Sequence, residues 1–296
     1  MTLNPILWLR VAAAGTLVAL STVLHAAPIL ALSLLKLLLP VPRARHALSC
    51  WVPALGESWI AMNGALIALF TPTRWTMTGD ATFSREKRYL VLSNHQSWVD
   101  IPVLQKVLNR RIPFKRFFLK DSLIWVPVLG AVWWAMDFPF MTRASKSQVA
   151  KNPALARRDL ETARKACAKF SDMPVSLMNF VEGTRATAAK LAGSPYRHLL
   201  KPKSGGVAQV LDSMGELLDG IVDVTIVYPG GRPTMFDLFA GHVREIRVDL
   251  RLRPVPAALL GMSYENDREH RVRFQQWLNE LWLEKDARID AMLATP

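Results

Sequence analysis

His95 and Asp100 are the two residues whose types and spacing most clearly permit acid–base chemistry. They follow an apolar run, Tyr89 to Leu92, which predicts a strand buried on both faces. Open α/β sheets place their reacting groups just beyond the carboxyl ends of such strands. An imidazole takes a proton from a hydroxyl near neutral pH, and a carboxylate on its other ring nitrogen fixes the tautomer. We therefore predict that His95 is a general base and that Asp100 orients it.

A second polar cluster, Glu182-Gly183-Thr184-Arg185, follows another apolar run at positions 175–178. The glycine allows close backbone approach, and the arginine can grip a pair of anionic oxygens. Either cluster alone can arise by chance, and an ordinary surface turn with an ion pair is the alternative. Because both clusters follow predicted strands, we favour a shared reaction site.

The composition joins an apolar leader to a basic body. The chain has 296 residues, of which 51% are hydrophobic, and a formal net charge of +13. This combination indicates a protein that lies on an anionic membrane surface, with polyanion binding as the alternative. The two cysteines, Cys50 and Cys167, lie far apart and have no adjacent histidine. Neither a disulfide framework nor a thiol nucleophile is therefore supported.

The N-terminal part of the chain predicts membrane-associated helices. Positions 11–35 carry no charge, and 25 residues form a helix about 38 Å long, enough to cross a bilayer core. A second apolar stretch, 51–73, carries only Glu57. The two stretches could span the bilayer as a hairpin or dip into one leaflet, and Arg43 and Arg45 between them favour the dipping or interfacial form. We expect the leader to be retained, because it is too long for a cleaved signal sequence.

From position 74 onward, short apolar runs alternate with helical stretches, which predicts an α/β sandwich. We therefore divide the chain into a membrane-associated helical part, 1–73, and an α/β domain, 74–296. Val248, Leu250 and Leu252 alternate with charged residues. This late strand is expected to bury one face only and to form an edge of the sheet.

Three blocks of sequence resemble the motifs of one enzyme family, the PlsC-type glycerophospholipid acyltransferases. Within that family the chain is most similar to the YihG-type membrane acyltransferases of bacteria. The likeness covers nearly the whole chain, from the apolar N-terminal segments to the stretch at 274–278. The blocks are, in chain order, Asn94-His95 through Asp100; Phe118 through Gly130 with Asp137 through Arg143; and Phe180-Val181-Glu182-Gly183-Thr184-Arg185.

The resemblance implies a fold and a reaction. The fold is a mixed, mostly parallel central sheet flanked by helices on both sides and preceded by apolar membrane helices. The reaction moves a fatty acyl group from acyl-CoA or acyl carrier protein to the free hydroxyl of a lysophospholipid, above all 1-acyl-sn-glycerol 3-phosphate, to give phosphatidic acid. The residues suit this transfer without a covalent enzyme intermediate and without a cofactor beyond the acyl donor. The implied location is the bacterial inner membrane, with the catalytic domain on the cytoplasmic face.

The resemblance also assigns roles to the other candidate residues. Lys120 and the backbone amide of Gly183 are expected to stabilise the developing oxyanion. Arg185 and Arg143 are expected to hold the acceptor phosphate. Lys203 is expected to help, because it precedes a helical run whose start can bind phosphate, although an ordinary helix start is the alternative. The turns around the site are expected to be shaped by Asn94, Ser97, Glu182 and Thr184.

Two other classes of function stay open at the level of sequence. A membrane-bound lipid hydrolase could use His95 and Asp100 to activate water, but the chain lacks both a nucleophile elbow and a metal-ligand spacing. A non-enzymatic protein that binds anionic membranes or polyanions is the second alternative. Its basic residues are dispersed rather than interleaved with stacking aromatics, so nucleic acid is not an expected partner.

Overall fold

The protein is described by a computed structural model over residues 5–79, 81–142, 151–152, 154–171, 173–262 and 264–295. Two N-terminal helices, α1 (Pro5–Leu38) and α2 (Pro42–Phe70), pack against each other. Both are long and apolar enough to cross a membrane, by length and composition. Many of their apolar side chains, including Leu9 and Leu69, are exposed. Apolar surface of this extent marks a region that contacts lipid or another apolar partner.

The described residues then form eight strands: β1 (Arg74–Thr78), β2 (Arg88–Ser93), β3 (Lys115–Phe117), β4 (Leu119–Lys120), β5 (Phe140–Met141), β6 (Val175–Phe180), β7 (Gly220–Val227) and β8 (Glu245–Arg253). Six of them make one sheet in the order β1-β8-β7-β2-β6-β3, and β4 pairs with β5. Only β7 and β8 are antiparallel among the six, and the other neighbours are parallel. The predicted mixed, mostly parallel sheet is confirmed.

Helices cover both faces of this sheet, as predicted: α3 (Asp100–Leu108), α4 (Leu129–Ala135), α5 (Ala154–Lys169), α6 (Ala188–Leu191), α7 (Ser204–Met214), α8 (Met235–Ala240) and α9 (Arg268–Ala294). One core lies between the sheet and α5, α7 and α9, and the other lies between the sheet and α3 and α8. A third apolar cluster joins α1, α2 and α4. Strand β2 lies at the centre, and its residues Tyr89 through Leu92 are each 0% exposed.

The prediction that the strand at 248–252 forms an edge is wrong. Strand β8 lies between β1 and β7. Two of its alternating charged residues, Arg247 and Asp249, are buried, and Asp249 pairs with Arg288 of α9 at 3.3 Å, whereas Arg251 near the end of the strand is exposed. The alternation therefore reflects a polar face that α9 covers with matching charges.

Buried ion pairs also fix helix α9 to strand β7. Lys285 of α9 hydrogen-bonds to Asp223 of β7, and both side chains are fully buried. Arg288 and Arg253 also bind Asp223, at 3.1 and 3.0 Å. Burial would raise the pKa of Asp223, but the three cations lower it to about 2. Loss of one partner from such a pair typically costs about 3–5 kcal/mol, so this network holds α9 firmly on β7.

Candidate active site

The carboxyl end of β2 leads into the predicted reaction centre. His95 Nδ1 lies 2.8 Å from Asp100 Oδ2, and the two side chains are 13% and 0% exposed. The same oxygen accepts hydrogen bonds from the backbone amides of Gln96 and Ser97, at 2.6 and 2.8 Å. The hydroxyl of Tyr228 donates to Asp100 Oδ1 at 2.6 Å. Because the carboxylate is held by these donors and accepts from Nδ1, Nε2 of His95 is left as the basic nitrogen.

Asn94 ties this turn to the neighbouring strand. Its side-chain amide donates to the carbonyl of Ile226 at 2.9 Å and accepts from the Ile226 amide at 2.9 Å. These bonds continue the β2–β7 pairing beyond its last backbone partner, Ser93. The hydroxyl of Ser97 donates to the carbonyl of Pro233. Strand β7 and the loop after it therefore both hold the turn that presents His95.

Glu182 supports the turn from the second motif. Its carboxyl group accepts hydrogen bonds from the amides of His95 and Leu200, each at 3.2 Å. Burial raises the pKa of Glu182 to about 8, although these two bonds act in the opposite direction. The amide of Ala186 donates to the carbonyl of His95 at 2.8 Å, so the two motifs meet at the backbone of the histidine.

A cationic cleft of about 470 Å³ opens beside the turn. Its charged lining residues are Arg185, Lys190 and Arg232, and no carboxylate lines it among the residues that the structure describes. The Arg185 guanidinium lies 4.5 Å over the ring of Trp98, and Lys190 Nζ donates to the Thr184 hydroxyl at 2.7 Å. Three cations without a lining carboxylate favour an anionic ligand in this cleft.

Lys203 and Gly183 lie against each other. A Cβ atom on Gly183 would lie 3.2 Å from Lys203 Nζ, a close contact with the end of a flexible side chain. The φ of Gly183 is +67°, so this position favours glycine because of its backbone conformation. The Gly183 amide donates to the carbonyl of Phe180 at 2.9 Å. This bond argues against the predicted role of that amide as an oxyanion donor.

For two further predicted residues, Lys120 and Arg143, the structure describes no contact with the turn that carries His95. Lys120 lies on β4 opposite Met141, with its side chain exposed. Arg143 lies outside the described residues. Their proposed roles stay predictions. Within the described part of the chain, no group of three or more His, Cys, Asp or Glu side chains is placed to hold a metal ion.

An apolar cavity of about 350 Å³ lies between the N-terminal helices and the sheet. Aromatic rings connect it to the reaction centre: Phe180 stacks on His95 at 3.9 Å between centroids, and Phe117 lies 6.3 Å from Phe180. Trp98 lines both this cavity and the cationic cleft. The cavity wall includes Ile29, Ile60, Phe117, Leu119, Val132 and Phe138. The turn that carries His95 and Asp100 therefore lies between an apolar compartment and a cationic one.

Sequence reasoning did not single out three of these lining residues. Trp98 lies inside the first motif, but nothing in the motif shows which way its ring faces. Lys190 lies in an alanine-rich segment, 186–192, with little hydrophobic pattern. Arg232 directly follows the turn Pro229-Gly230-Gly231. Arg232 could have been found from its position, because it is a cation that follows the turn at the end of a central strand.

Comparison with known proteins agrees with this geometry. A family model described as Acyltransferase matches residues 74–229, more than half of the chain. The chain is 27% identical over 267 residues to lysocardiolipin acyltransferase 1 of Mus musculus, which covers 81% of this chain and 63% of that protein. It is 28% identical over 233 residues to 1-acyl-sn-glycerol-3-phosphate acyltransferase 2 of Brassica oleracea, covering 73% of this chain and 54% of that protein. The chain thus spans little more than half of the length of these relatives.

A solved structure shares the fold. The 1-acyl-sn-glycerophosphate acyltransferase PlsC of Thermotoga maritima superposes with a TM-score of 0.59 over 99% of this chain and 97% of that chain, at 14% identity. The finer likeness to the YihG-type enzymes stays a prediction. The matched family model, the fold and the two motifs that meet at His95 lead to one conclusion: this chain belongs to the acyltransferase family of the PlsC type.

Proposed function

We propose that this protein transfers a fatty acyl group from a thioester donor to the free hydroxyl of a lysophospholipid. One observation carries the proposal: the His95–Asp100 pair lies on a turn whose Trp98 lines an apolar cavity on one side and a cationic cleft on the other. The two substrates of such a reaction differ in the same way. The donor brings a long apolar chain, and the acceptor brings an anionic headgroup.

The chemistry follows from the orientation of His95. Nε2 takes the proton of the acceptor hydroxyl while that oxygen attacks the thioester carbonyl carbon. The resulting tetrahedral intermediate collapses by breaking the carbon–sulfur bond, and the departing thiolate receives the proton from the imidazolium. Asp100 stabilises the positive imidazole between these two steps. The acyl group passes directly from sulfur to oxygen, with no bond to the enzyme.

The developing oxyanion needs a positive or hydrogen-bonding partner. Lys120 is the proposed donor, by its resemblance to the family motif. Its neighbour Leu119 lines the apolar cavity, so the backbone of Lys120 is close to that cavity.

The proposed acceptor is 1-acyl-sn-glycerol 3-phosphate. A phosphomonoester carries close to two negative charges at neutral pH and favours several cationic donors. Arg185 lies on the loop after β6, and Arg232 lies on the loop after β7, so the cleft receives cations from two separate loops. Lys203 and Arg143 are proposed as further phosphate contacts. Because one relative is a lysocardiolipin acyltransferase, lysocardiolipin is the other acceptor to be tested.

The proposed location is the cytoplasmic face of the bacterial inner membrane. Helices α1 and α2 supply apolar surface for lipid and also part of the cavity wall. A lysophospholipid could then reach the cleft from the membrane, while acyl-CoA or acyl carrier protein approaches from the cytoplasm.

The experiment is acyl transfer by the detergent-solubilised full chain, from labelled palmitoyl-CoA or palmitoyl carrier protein to a panel of lysophospholipids. Label in phosphatidic acid alone supports the proposed acceptor. Label in cardiolipin formed from lysocardiolipin would support the same reaction with a different acceptor. Absence of transfer from either donor to every acceptor contradicts the proposal, and release of free fatty acid would favour hydrolysis.

A further inference from the structure

Lys115 is a buried cation in the wall of the apolar cavity. It lies on β3 and is 3% exposed. It lines the same cavity as Phe117, two residues later on the same side of the strand. Lysine is almost never buried to this degree without a partner.

The other polar groups that α1 and α2 contribute to this wall are satisfied within the protein. His25 Nδ1 lies 2.8 Å from the Ser21 carbonyl, and Nε2 lies 3.3 Å from the Ser58 hydroxyl. The indole nitrogen of Trp59 donates to the Thr22 hydroxyl at 3.1 Å. None of these groups requires a ligand.

The ammonium group of Lys115 differs from them. No hydrogen bond or ion pair joins it to another residue in the described part of the chain. Glu57 is the carboxylate whose charge acts on it, but Glu57 binds Arg85 through both oxygens, at 2.8 and 2.7 Å. Burial lowers the pKa of Lys115 to about 8, against the opposing effect of Glu57. The ammonium group therefore faces the cavity without a described acceptor. A donor that an apolar chain covers without an acceptor is costly, and a ligand oxygen would relieve that cost.

The position of Lys115 fixes where such an oxygen must lie. In the parallel pairing of β3 with β6, Lys115 lies opposite Ser176, four residues before Phe180. Four strand residues span about 13 Å, so the backbone of Lys115 lies well below that of Phe180, whose ring stacks on His95. The lysine side chain can cover only part of this distance. An oxygen next to the thioester carbonyl would be too close to His95 to reach it. A partner for Lys115 must lie further along the acyl chain.

We propose that the cavity selects an acyl group with an oxygen substituent, a hydroxyl or a keto group, partway along its chain, and that Lys115 donates a hydrogen bond to that oxygen. This inference rests on the proposed acyl transfer and names the class of acyl donor within it. A plain hydrocarbon chain leaves the ammonium group unpaired, whereas a chain with one oxygen at the right depth satisfies it. A hydrogen bond to a charged group is strong enough to favour the matching donor by about tenfold or more.

The test compares palmitoyl-CoA with a set of hydroxypalmitoyl-CoA isomers that differ only in the position of the hydroxyl. The purified full chain is assayed with lysophosphatidate, and kcat/KM is measured for each donor. We expect a maximum at one mid-chain position, with a preference of about tenfold over palmitoyl-CoA. The Lys115→Met variant keeps the length of the side chain and removes the ammonium group, so it should lose this maximum and use palmitoyl-CoA at least as well.

The matched control is Lys87→Met, which removes an exposed lysine from the turn before β2 and should leave the profile unchanged. A flat wild-type profile, with palmitoyl-CoA transferred normally, overturns the inference while the proposed function stands. An equal loss with every donor in Lys115→Met also overturns it, because Lys115 would then contact the pantetheine arm that all donors share. If Lys115→Met does not fold, Lys115→Gln and the wild-type profile still decide the question.

Discussion

The two compartments on either side of Trp98 are built in opposite ways. The cationic cleft is formed by two loops that follow β6 and β7, together with the turn after β2, and its charged side chains are exposed. The apolar cavity is assembled from α1, α2, α3, α4, β3 and β4, and most of its lining residues are at least partly buried. The cleft therefore depends on a few charges, whereas the cavity depends on packing between distant segments. Substitutions on the two sides should change different kinetic constants.

The largest effect is expected at the turn between the compartments. Asp100→Asn replaces the carboxylate that accepts the hydrogen bond from His95 Nδ1, and loss of the correct tautomer should lower kcat by roughly 10³-fold. Tyr228→Phe removes a single hydrogen bond to the same carboxylate and should cost far less. Equal rates for Asp100→Asn and wild type would show that the pair does not perform the proton transfer.

The next effect lies on the cleft side. Arg185→Ala removes the proposed charge-assisted contact to the acceptor and should raise the KM for lysophosphatidate by about tenfold or more, with a smaller change in kcat. Arg232→Ala should act in the same direction. The control is Arg244→Ala, an exposed arginine before β8 that does not line the cleft. If Arg185→Ala and wild type showed the same ratio of activity with lysophosphatidate to activity with its dephosphorylated analogue, the cleft would not bind the acceptor phosphate.

Substitutions in the cavity should change the preference for the length of the acyl chain rather than the affinity for the acceptor. A Cβ atom on Gly56 would lie 2.5 Å from Met136 Cε and 2.7 Å from Phe114 Cε2, and all three residues line the cavity. Gly56→Ala should therefore narrow the cavity and shift the preference toward shorter acyl-CoA donors by a few-fold. Gly64→Ala lies in the same helix with no atom within 4 Å of the added carbon, and it should leave the preference unchanged. If both variants showed the same preference among acyl-CoA donors of different length, the acyl chain would not lie in this cavity.

The smallest effect concerns the buried support of the turn. The pKa of Glu182 is raised from 4.5 to about 8, so the folded protein retains a proton that the unfolded chain releases above its own pKa. The stability due to this proton is fully present below pH 4.5 and is lost as pH rises toward 8. Glu182→Gln should flatten this part of the curve of unfolding free energy against pH. An equally steep fall in both proteins would mean that Glu182 ionises normally in the fold.

The contrast between the compartments also explains what the sequence could predict. The apolar runs before His95 and Glu182 predicted two strands, because a buried strand leaves a clear local pattern. The structure shows that these strands, β2 and β6, are adjacent and parallel. The polar residues at the ends of these strands then had to meet at one edge. His95, Asp100 and Arg185 could be predicted in this way because they belong to short continuous motifs.

The cavity leaves no such local pattern. Phe117, Ile29 and Val132 come together only when helices and strands far apart in the chain pack against one another, and no spacing within one segment records that packing. The error at β8 has a related cause. Its alternating charges are paired with residues of α9, and the pairing of Asp249 with Arg288 depends on tertiary structure rather than on the strand itself.

The most direct test of the account measures turnover and acceptor binding separately in wild type and His95→Ala. Transfer from labelled palmitoyl-CoA to lysophosphatidate is followed by product formation, and lysophosphatidate binding is followed by equilibrium partitioning with the same preparations. We expect the variant to lose turnover by at least about 10³-fold while its affinity for the acceptor changes little, because the cleft and its cations are intact. A variant that transfers acyl groups at a near-normal rate would contradict the assignment of His95 as the base.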